Sequence, residues 1–351
     1  MTGSTLNHWH PVLASRELRR KPVPVRLCGR QFVLFRTESG TVGALDDICV
    51  HRRSKLSTGV VVGDRLRCPY HGWTFTTCGN AESPGTPKLT AEAVSYDTRE
   101  ELGYVWMKPR DAEAHFPKFD TEGYTNIGTL RHSMPAPFEL VVVNFLEVEH
   151  TTINHETFGH DLDGIEQVQV KCDTTETTTH VYSRGPTKRV PWWKRFFLGA
   201  WSNFHFIADD TVYFSPMYGR YDHWWASPDD RRQGMVRWRL YLFFVPEDDH
   251  TTSLVSFMFA KSRWPANWLG WKLVAPIFLR ETNREVSRDV ALLSNLADQS
   301  TKIDGMKLSR FDKILGLTRE RITRIYRGGA ADGEGDEKGP MACAGGDHCR
   351  K

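Results

Sequence analysis

What this 351-residue chain lacks already narrows what it can be. No apolar run is long enough to span a bilayer; stretches such as 269–279 are interrupted by Lys272 and Pro276. The first ten residues carry no apolar leader. The expectation is therefore a cytoplasmic protein, with peripheral contact to a membrane surface left open. A surplus of one charge is also missing. Forty-six Lys and Arg stand against 43 Asp and Glu, a formal net charge of +3, and no long basic run goes with it. Nucleic acid is not expected as a partner. Cysteine is sparse and odd in number, seven in all, which suits a reducing compartment better than a disulfide framework. No G-x-G-x-x-G follows a strand-like run and opens a helix, so a nicotinamide or flavin domain is not expected on this chain. No internal repeat is evident. The remainder, 40% hydrophobic and 25% charged, is ordinary for a globular protein with room for two domains.

Against that plain background one stretch stands out: Cys49-Val-His51-Arg-Arg, then Arg67-Cys68-Pro-Tyr-His71-Gly-Trp73. Two thiols and two imidazoles come as paired loops, C-x-H and C-x2-H, with residues 52–67 between them. Four ligands of mixed softness on two turns make a metal site. An ordinary zinc finger opens with C-x2-4-C and closes with paired histidines, a different order. The motif resembles a Rieske [2Fe–2S] centre, down to the Pro-Tyr inside the second pair and the Gly-Trp after it. In such a centre two cysteines hold one iron and two histidines the other, with a potential of roughly −150 to +300 mV. Zinc is the alternative ligand chemistry. The cations Arg52, Arg53 and Lys55 flank the first pair, as a solvated rim or as a steering patch for an acidic electron donor. Cys78 lies outside both pairs and reads as a small buried residue.

The surrounding text is that of short strands with turn signals: 25–27, 31–36, 42–45, 60–62 and 65–67, then 73–76 and 103–107. A boundary falls near 110–118. Beyond it, strands are expected at 167–172, 178–182, 204–208, 211–214, 235–245 and 254–260, with Asp209-Asp210 read as a hairpin turn. Val236, Trp238, Leu240, Leu242 and Phe244 share one face of their strand. Helices to cover the sheet are expected around 144–156, 277–297 and 305–326. From Gly328 the composition predicts a disordered tail, with its Cys343 and Cys349 assigned no role.

The second informative stretch is Asn144-Phe-Leu-Glu147-Val-Glu-His150-Thr-Thr-Ile-Asn-His155. On an ideal helix a spacing of five sets side chains about 140° apart, so His150 and His155 can share a metal only if the helix bends or ends between them. Following a Rieske motif at about eighty residues' distance, N-x2-[acid]-x2-H-x4-H resembles the terminal oxygenase, or α-subunit, of Rieske non-heme iron oxygenases over roughly residues 8–326.

That resemblance implies an α+β fold. An all-β Rieske domain (8–112) would precede a helix-grip type catalytic domain of antiparallel sheet covered by helices (113–327), and then the tail (328–351). It implies a [2Fe–2S] cluster on Cys49, His51, Cys68 and His71, and a mononuclear Fe(II) on His150, His155 and a late carboxylate, leaving positions for dioxygen. Glu281, Glu285 and Asp289 recur every four residues, either as a solvated stripe paired with Arg284 and Arg288 or as the ligand's source. By resemblance the ligand is Asp289, which Val-Ala-Leu-Leu follows, with Glu285 the alternative. Glu147 stands where most members carry the aspartate that links a cluster histidine of one subunit to an iron histidine of its neighbour. It would be the electron-transfer bridge, with a shifted geometry. Electrons would come from NAD(P)H through a separate reductase or ferredoxin, and the assembly would be a homotrimer, because cluster and iron of one chain lie too far apart.

Substrate is left open. Tryptophans mixed with cations at 188–198 and 261–272 suit either aromatic packing or a membrane interface. The reading is hydroxylation or oxidative demethylation of an apolar small molecule, sterol- or lipid-like. The alternatives are a small aromatic acid or aryl ether, and, from another class, a bare Rieske electron carrier.

Overall fold

Runs of residues set off by turn signals become strands, and the one at 178–186 alternates buried and half-buried positions along its length. The computed structural model describes residues 3–192, 194–195, 203–263 and 267–328, and the chain divides into two units. One unit is Met1–Pro117 with Val245–Ser253, and the other is Lys118–Phe244 with Leu254–Lys351. The tail from 329, with Cys343 and Cys349, lies outside the described residues.

The first unit opens with a helical turn, α1 (Gly3–Leu6), and holds two sheets. The larger runs in the order β1 (His10–Ala14), β11 (Tyr104–Pro109), β10 (Ser95–Glu101), β4 (Val42–Asp46), β3 (Arg30–Arg36) and β2 (Val23–Leu27). The smaller runs β5 (Val60–Val62), β6 (Arg65–Arg67), β7 (Thr74–Phe75), β8 (Asn80–Glu82) and β9 (Ala91–Glu92). Val33, Phe35, Leu45, Leu56, Leu66 and Phe75, all fully buried, form a core that also takes in Cys49 and Cys68. Cys78 is exposed, contrary to the expectation of burial, because it sits on the turn between β7 and β8 rather than on a core-facing strand position.

The second unit is built on seven strands: β12 (Thr125–Met134), β18 (Thr252–Ser262), β17 (Gln233–Pro246), β16 (Met217–Ala226), β15 (His205–Phe214), β14 (Thr178–Pro186) and β13 (Gln169–Thr174). Its helices are α2 (Phe138–Leu146), α3 (His150–Asn154), α4 (Asn267–Ser294) and α5 (Lys313–Arg321). Helices α2, α4 and α5 place Phe138, Val142, Leu146, Val286, Leu293 and Ile314 in one core with Val212, Tyr221 and Leu242 of the sheet. This is the α+β class expected, mostly antiparallel sheet with few helices. No helix among the described residues is long and apolar enough to cross a membrane.

Asp209 and Asp210 are not a turn. They lie mid-strand in β15, and the reversal comes at Ser215-Pro216, between Phe214 and Met217. Two adjacent acids read as a turn only while their partners are unseen. Asp209 accepts from His180 Nε2 at 2.7 Å and Asp210 from His223 Nε2 at 3.0 Å, one on each face of the sheet. The first pair is about one-third exposed. The hydrogen bond that His180 donates to Asp209 holds the imidazole above its ordinary value, and His180 holds the Asp209 carboxyl below its own. The histidine's share is fully present below about pH 6.5 and is lost as pH rises through the raised value; the aspartate's is lost as pH falls below about 4. His180→Gln should therefore lower the melting temperature by about 2–4 °C at most at pH 6, and by less at pH 9. An equal loss at both pH values in thermal melts would show that the ion pair contributes nothing.

Candidate cluster and metal sites

Both cysteine–histidine pairs sit on loops with the same backbone wiring. Cys49 N–H donates to Ser54 O at 2.8 Å, and Arg53 N–H returns to Cys49 O at 2.9 Å. Cys68 N–H donates to Trp73 O at 2.7 Å, and Gly72 N–H returns to Cys68 O at 3.2 Å. The fifth residue of each loop is left-handed, Arg53 at φ 57° and Gly72 at φ 71°. Asp47, itself buried, accepts Ser57 N–H and Oγ–H at 2.6 Å each and ties the first loop shut.

The outcome is a graded donor set. Both thiols are 2% exposed, and burial pushes Cys49 up, with Cys68 close beside it. The His51 and His71 rings are exposed and 4.6 Å apart; Trp73 stacks on His51 at 5.2 Å. Buried thiols opposite exposed imidazoles fit a two-iron cluster held by cysteines on its inner side and by histidines on its solvent side.

In the second unit, α2 ends at Leu146 and α3 begins at His150. Helix α3 stops at Asn154, and His155 turns extended at φ −90°, ψ 149°. That helix end brings the two imidazoles to one side. His155 Nε2 lies 3.0 Å and His150 Nε2 3.4 Å from Asp289 Oδ1, and the three donor atoms all fall within 4.8 Å of one another. Asp289 is 1% exposed on α4, and Asn154 Nδ2 donates to its Oδ1 at 2.9 Å. Burial pulls the His150 imidazole down, but Asp289 and Glu147 outweigh it and hold it up at about 9. Burial likewise pushes Asp289 up, and the two histidines bring it to about 2.

Glu147 holds the other side of His150. Its Oε1 takes a short hydrogen bond from His150 Nδ1, and its Oε2 accepts Glu149 N–H at 2.7 Å and His150 N–H at 3.2 Å. With Nδ1–H so committed, Nε2 is the nitrogen turned to a metal, which would take the place of the Nε2 proton. Two imidazole nitrogens and a carboxylate fit an Fe(II) facial set.

Of the other acids on α4, Glu285 accepts Glu156 and Thr157 N–H, the latter at 2.7 Å, and Glu281 pairs with Lys194 at 2.5 Å. Arg284 and Arg288 pair with Glu156 rather than with the acidic stripe. Lys188 belongs to the tryptophan-rich stretch, yet its Nζ donates to the carbonyls of Thr151 and His155 and fastens the end of α3. Burial brings it down to about 8. Trp192 is 80% exposed. Trp193, Phe196, Phe197, Leu198 and Trp264 lie outside the described residues, as do the side chains of Trp268, Trp271 and Lys272.

Gly159 packs against this turn. At φ +102° its Cβ would sit 2.3 Å from Thr151 Oγ1, which is itself held on Val148 O at 2.7 Å. Gly159→Ala should cost about 1–3 kcal/mol. It should also loosen the histidine turn, read as a lower melting temperature together with partial loss of bound iron. Unchanged melting and metal content would show that the turn yields freely.

His150, His155 and Asp289 form part of the wall of a cavity of about 860 Å³ counted to its open mouth, whose apolar lining includes Phe145, Val148, Phe158, Phe206, Leu240 and Val286. Asp210, Tyr221, His223, Trp238 and Ser256 also line it. Sequence reading missed the polar ones. The signal was there in part: Ala208, Asp210 and Val212 share parity, so an acid sits on a core-facing side.

Residues 8–94 match the Rieske [2Fe–2S] domain family. Chlorophyllide a oxygenase, chloroplastic, of Oryza sativa subsp. japonica is 31% identical over 43% of this chain and 29% of its own length. The chain thus spans less than a third of that relative. The 4beta-methylsterol monooxygenase of Methylococcus capsulatus is 26% identical over 80% of this chain and 74% of its own. The solved NdmA QL mutant of Pseudomonas putida CBB5 with caffeine superposes with a TM-score of 0.70 over 98% of both chains, at 19% identity. At that identity the likeness speaks for the fold.

Proposed function

From a chain that carries a Rieske [2Fe–2S] domain and the fold of Rieske non-heme iron oxygenase α-subunits, we propose a terminal oxygenase. It would use dioxygen, and electrons from a separate NAD(P)H-dependent reductase or ferredoxin, to hydroxylate or oxidatively demethylate an apolar small molecule. The carrying observation is the convergence of His150, His155 and Asp289 in the wall of an apolar cavity. A bare electron carrier has no use for either. The sterol-like reading draws support from the methylsterol monooxygenase relative, whose match runs through both units.

Fe(II) held there would supply open positions for dioxygen beside the substrate. The protein's own part is positional. Glu147 fixes the His150 ring, Asn154 orients Asp289, and Lys188 anchors the end of α3. Phe158, Phe206 and Leu240 exclude water. Glu147 is the proposed electron bridge between neighbouring subunits of a homotrimer, and the cytoplasm is the proposed location.

Metal analysis with oxygen uptake tests the proposal. An oxygenase shows about three irons per chain with acid-labile sulfide, and reductase-dependent uptake with some member of a panel of apolar and aromatic compounds. Two irons and no uptake mean a carrier. Zinc without sulfide means a structural module.

A further inference from the structure

The wall formed by the sheet has polar atoms that nothing in the fold uses. Along β15 and β16, Asp210 stands opposite Tyr221 and Ala208 opposite His223; His223 in turn stands opposite Trp238 of β17. These residues form one patch across three adjacent strands, and Ser256 of β18 joins them in lining the cavity. Tyr221, Trp238 and Ser256 are 3%, 2% and 1% exposed, yet the Tyr221 hydroxyl, the Trp238 indole nitrogen and the Ser256 hydroxyl have no hydrogen-bond partner. Buried polar atoms are nearly always satisfied, and leaving one bare costs about 1–3 kcal/mol. Three bare atoms on residues of one cavity wall point to a ligand that satisfies them.

Their chemistry restricts that ligand. The indole N–H can only donate, and the two hydroxyls can donate or accept. An oxygen with two lone pairs answers all three, and a hydroxyl can also give its own proton to Tyr221 or Ser256. An anion does not fit. The patch already contains the buried Asp210 carboxylate, balanced by His223 at 3.0 Å, and Asp289 and Glu285 line the same cavity. Among the described residues no Lys or Arg lines it. A carboxylate seated at this patch would meet the Asp210 carboxylate with no lysine or arginine among the described wall residues to offset it, the candidate metal donors standing on α3 and α4 rather than on the sheet.

We propose that Tyr221, Trp238 and Ser256 form a recognition site for a neutral oxygen, hydroxyl or carbonyl, on an otherwise apolar substrate, and that this site rejects carboxylates. The inference rests on the oxygenase reading for the word substrate, and its test does not use turnover. Equilibrium dialysis of the holoenzyme at pH 7 would compare naphthalene, 2-naphthol and 2-naphthoate. Wild type should hold 2-naphthol at least about 10-fold more tightly than 2-naphthoate. Tyr221→Phe, and separately Trp238→Phe, should weaken 2-naphthol by about 3- to 10-fold and leave naphthalene within about 2-fold. Naphthoate binding as tightly as naphthol would overturn the site. So would equal losses for naphthol and naphthalene in both variants, or no measurable naphthol binding to wild type. Oxygen uptake is scored apart: selective binding without uptake by any compound of the panel defeats the oxygenase reading and leaves the recognition site standing.

Discussion

Asp289→Ala is expected to abolish turnover while leaving the absorption of the [2Fe–2S] centre unchanged. The carboxylate is 1% exposed and faces both imidazole Nε2 atoms, so its removal deletes one donor of three and leaves a pair that retains Fe(II) poorly. Iron should fall by about one per chain, with acid-labile sulfide constant. Glu285→Gln is the control, because a side-chain amide oxygen can still accept the N–H groups of Glu156 and Thr157. It should keep its iron. If Glu285→Gln loses iron and Asp289→Ala does not, the ligand has been assigned to the wrong turn of α4.

The second large effect is expected at Glu147, where two roles coincide. The structure has the side chain gripping His150 Nδ1 and the first N–H groups of α3, which makes it a positioning residue for the candidate ligand. The proposed bridge to a neighbouring subunit's cluster makes it a conduit as well. Glu147→Ala should weaken iron binding by about 10- to 100-fold. At saturating iron both centres should be present, and steady-state turnover should remain lost. Glu147→Gln keeps an acceptor for His150 Nδ1–H and removes the charge, so it should restore iron affinity. The two roles separate in the rate at which the pre-reduced cluster is reoxidised by oxygen in the presence of substrate. A fast rate in iron-loaded Glu147→Ala would defeat the bridge and leave the positioning role.

Much of this was readable beforehand, and the unread part has a common cause. Cys49, His51, Cys68 and His71 were legible because ligand type and spacing are local properties. The His150–His155 pair was legible as a condition: the helix had to bend or end, and it ends at Asn154. Strands 60–62 and 65–67 fell where their turn residues placed them. What stayed hidden depends on partners distant in sequence. Asp209-Asp210 looked like a turn because His180 and His223, which take up their charge, are 29 and 13 residues away. Strand β12, with Gly128 at φ 145° and a mixed burial pattern, has no alternation to detect. Lys188 looked like part of a surface because the carbonyls it caps are 37 and 33 residues earlier. The unpaired hydroxyls of Tyr221 and Ser256 have no signature in a linear text at all.

The twin loops of the first unit are copies in wiring but not in mutational tolerance. Position 72 holds glycine at φ 71°, and any side chain there must bear left-handed backbone. Position 53 bears it already, with an exposed arginine at φ 57°. Left-handed geometry costs a side chain about 1–2 kcal/mol, so glycine at 53 would tighten the fold while stripping a guanidinium from the rim of the exposed imidazoles. The positive rim is thus held against the preference of its own backbone, and stability selection alone would erode it.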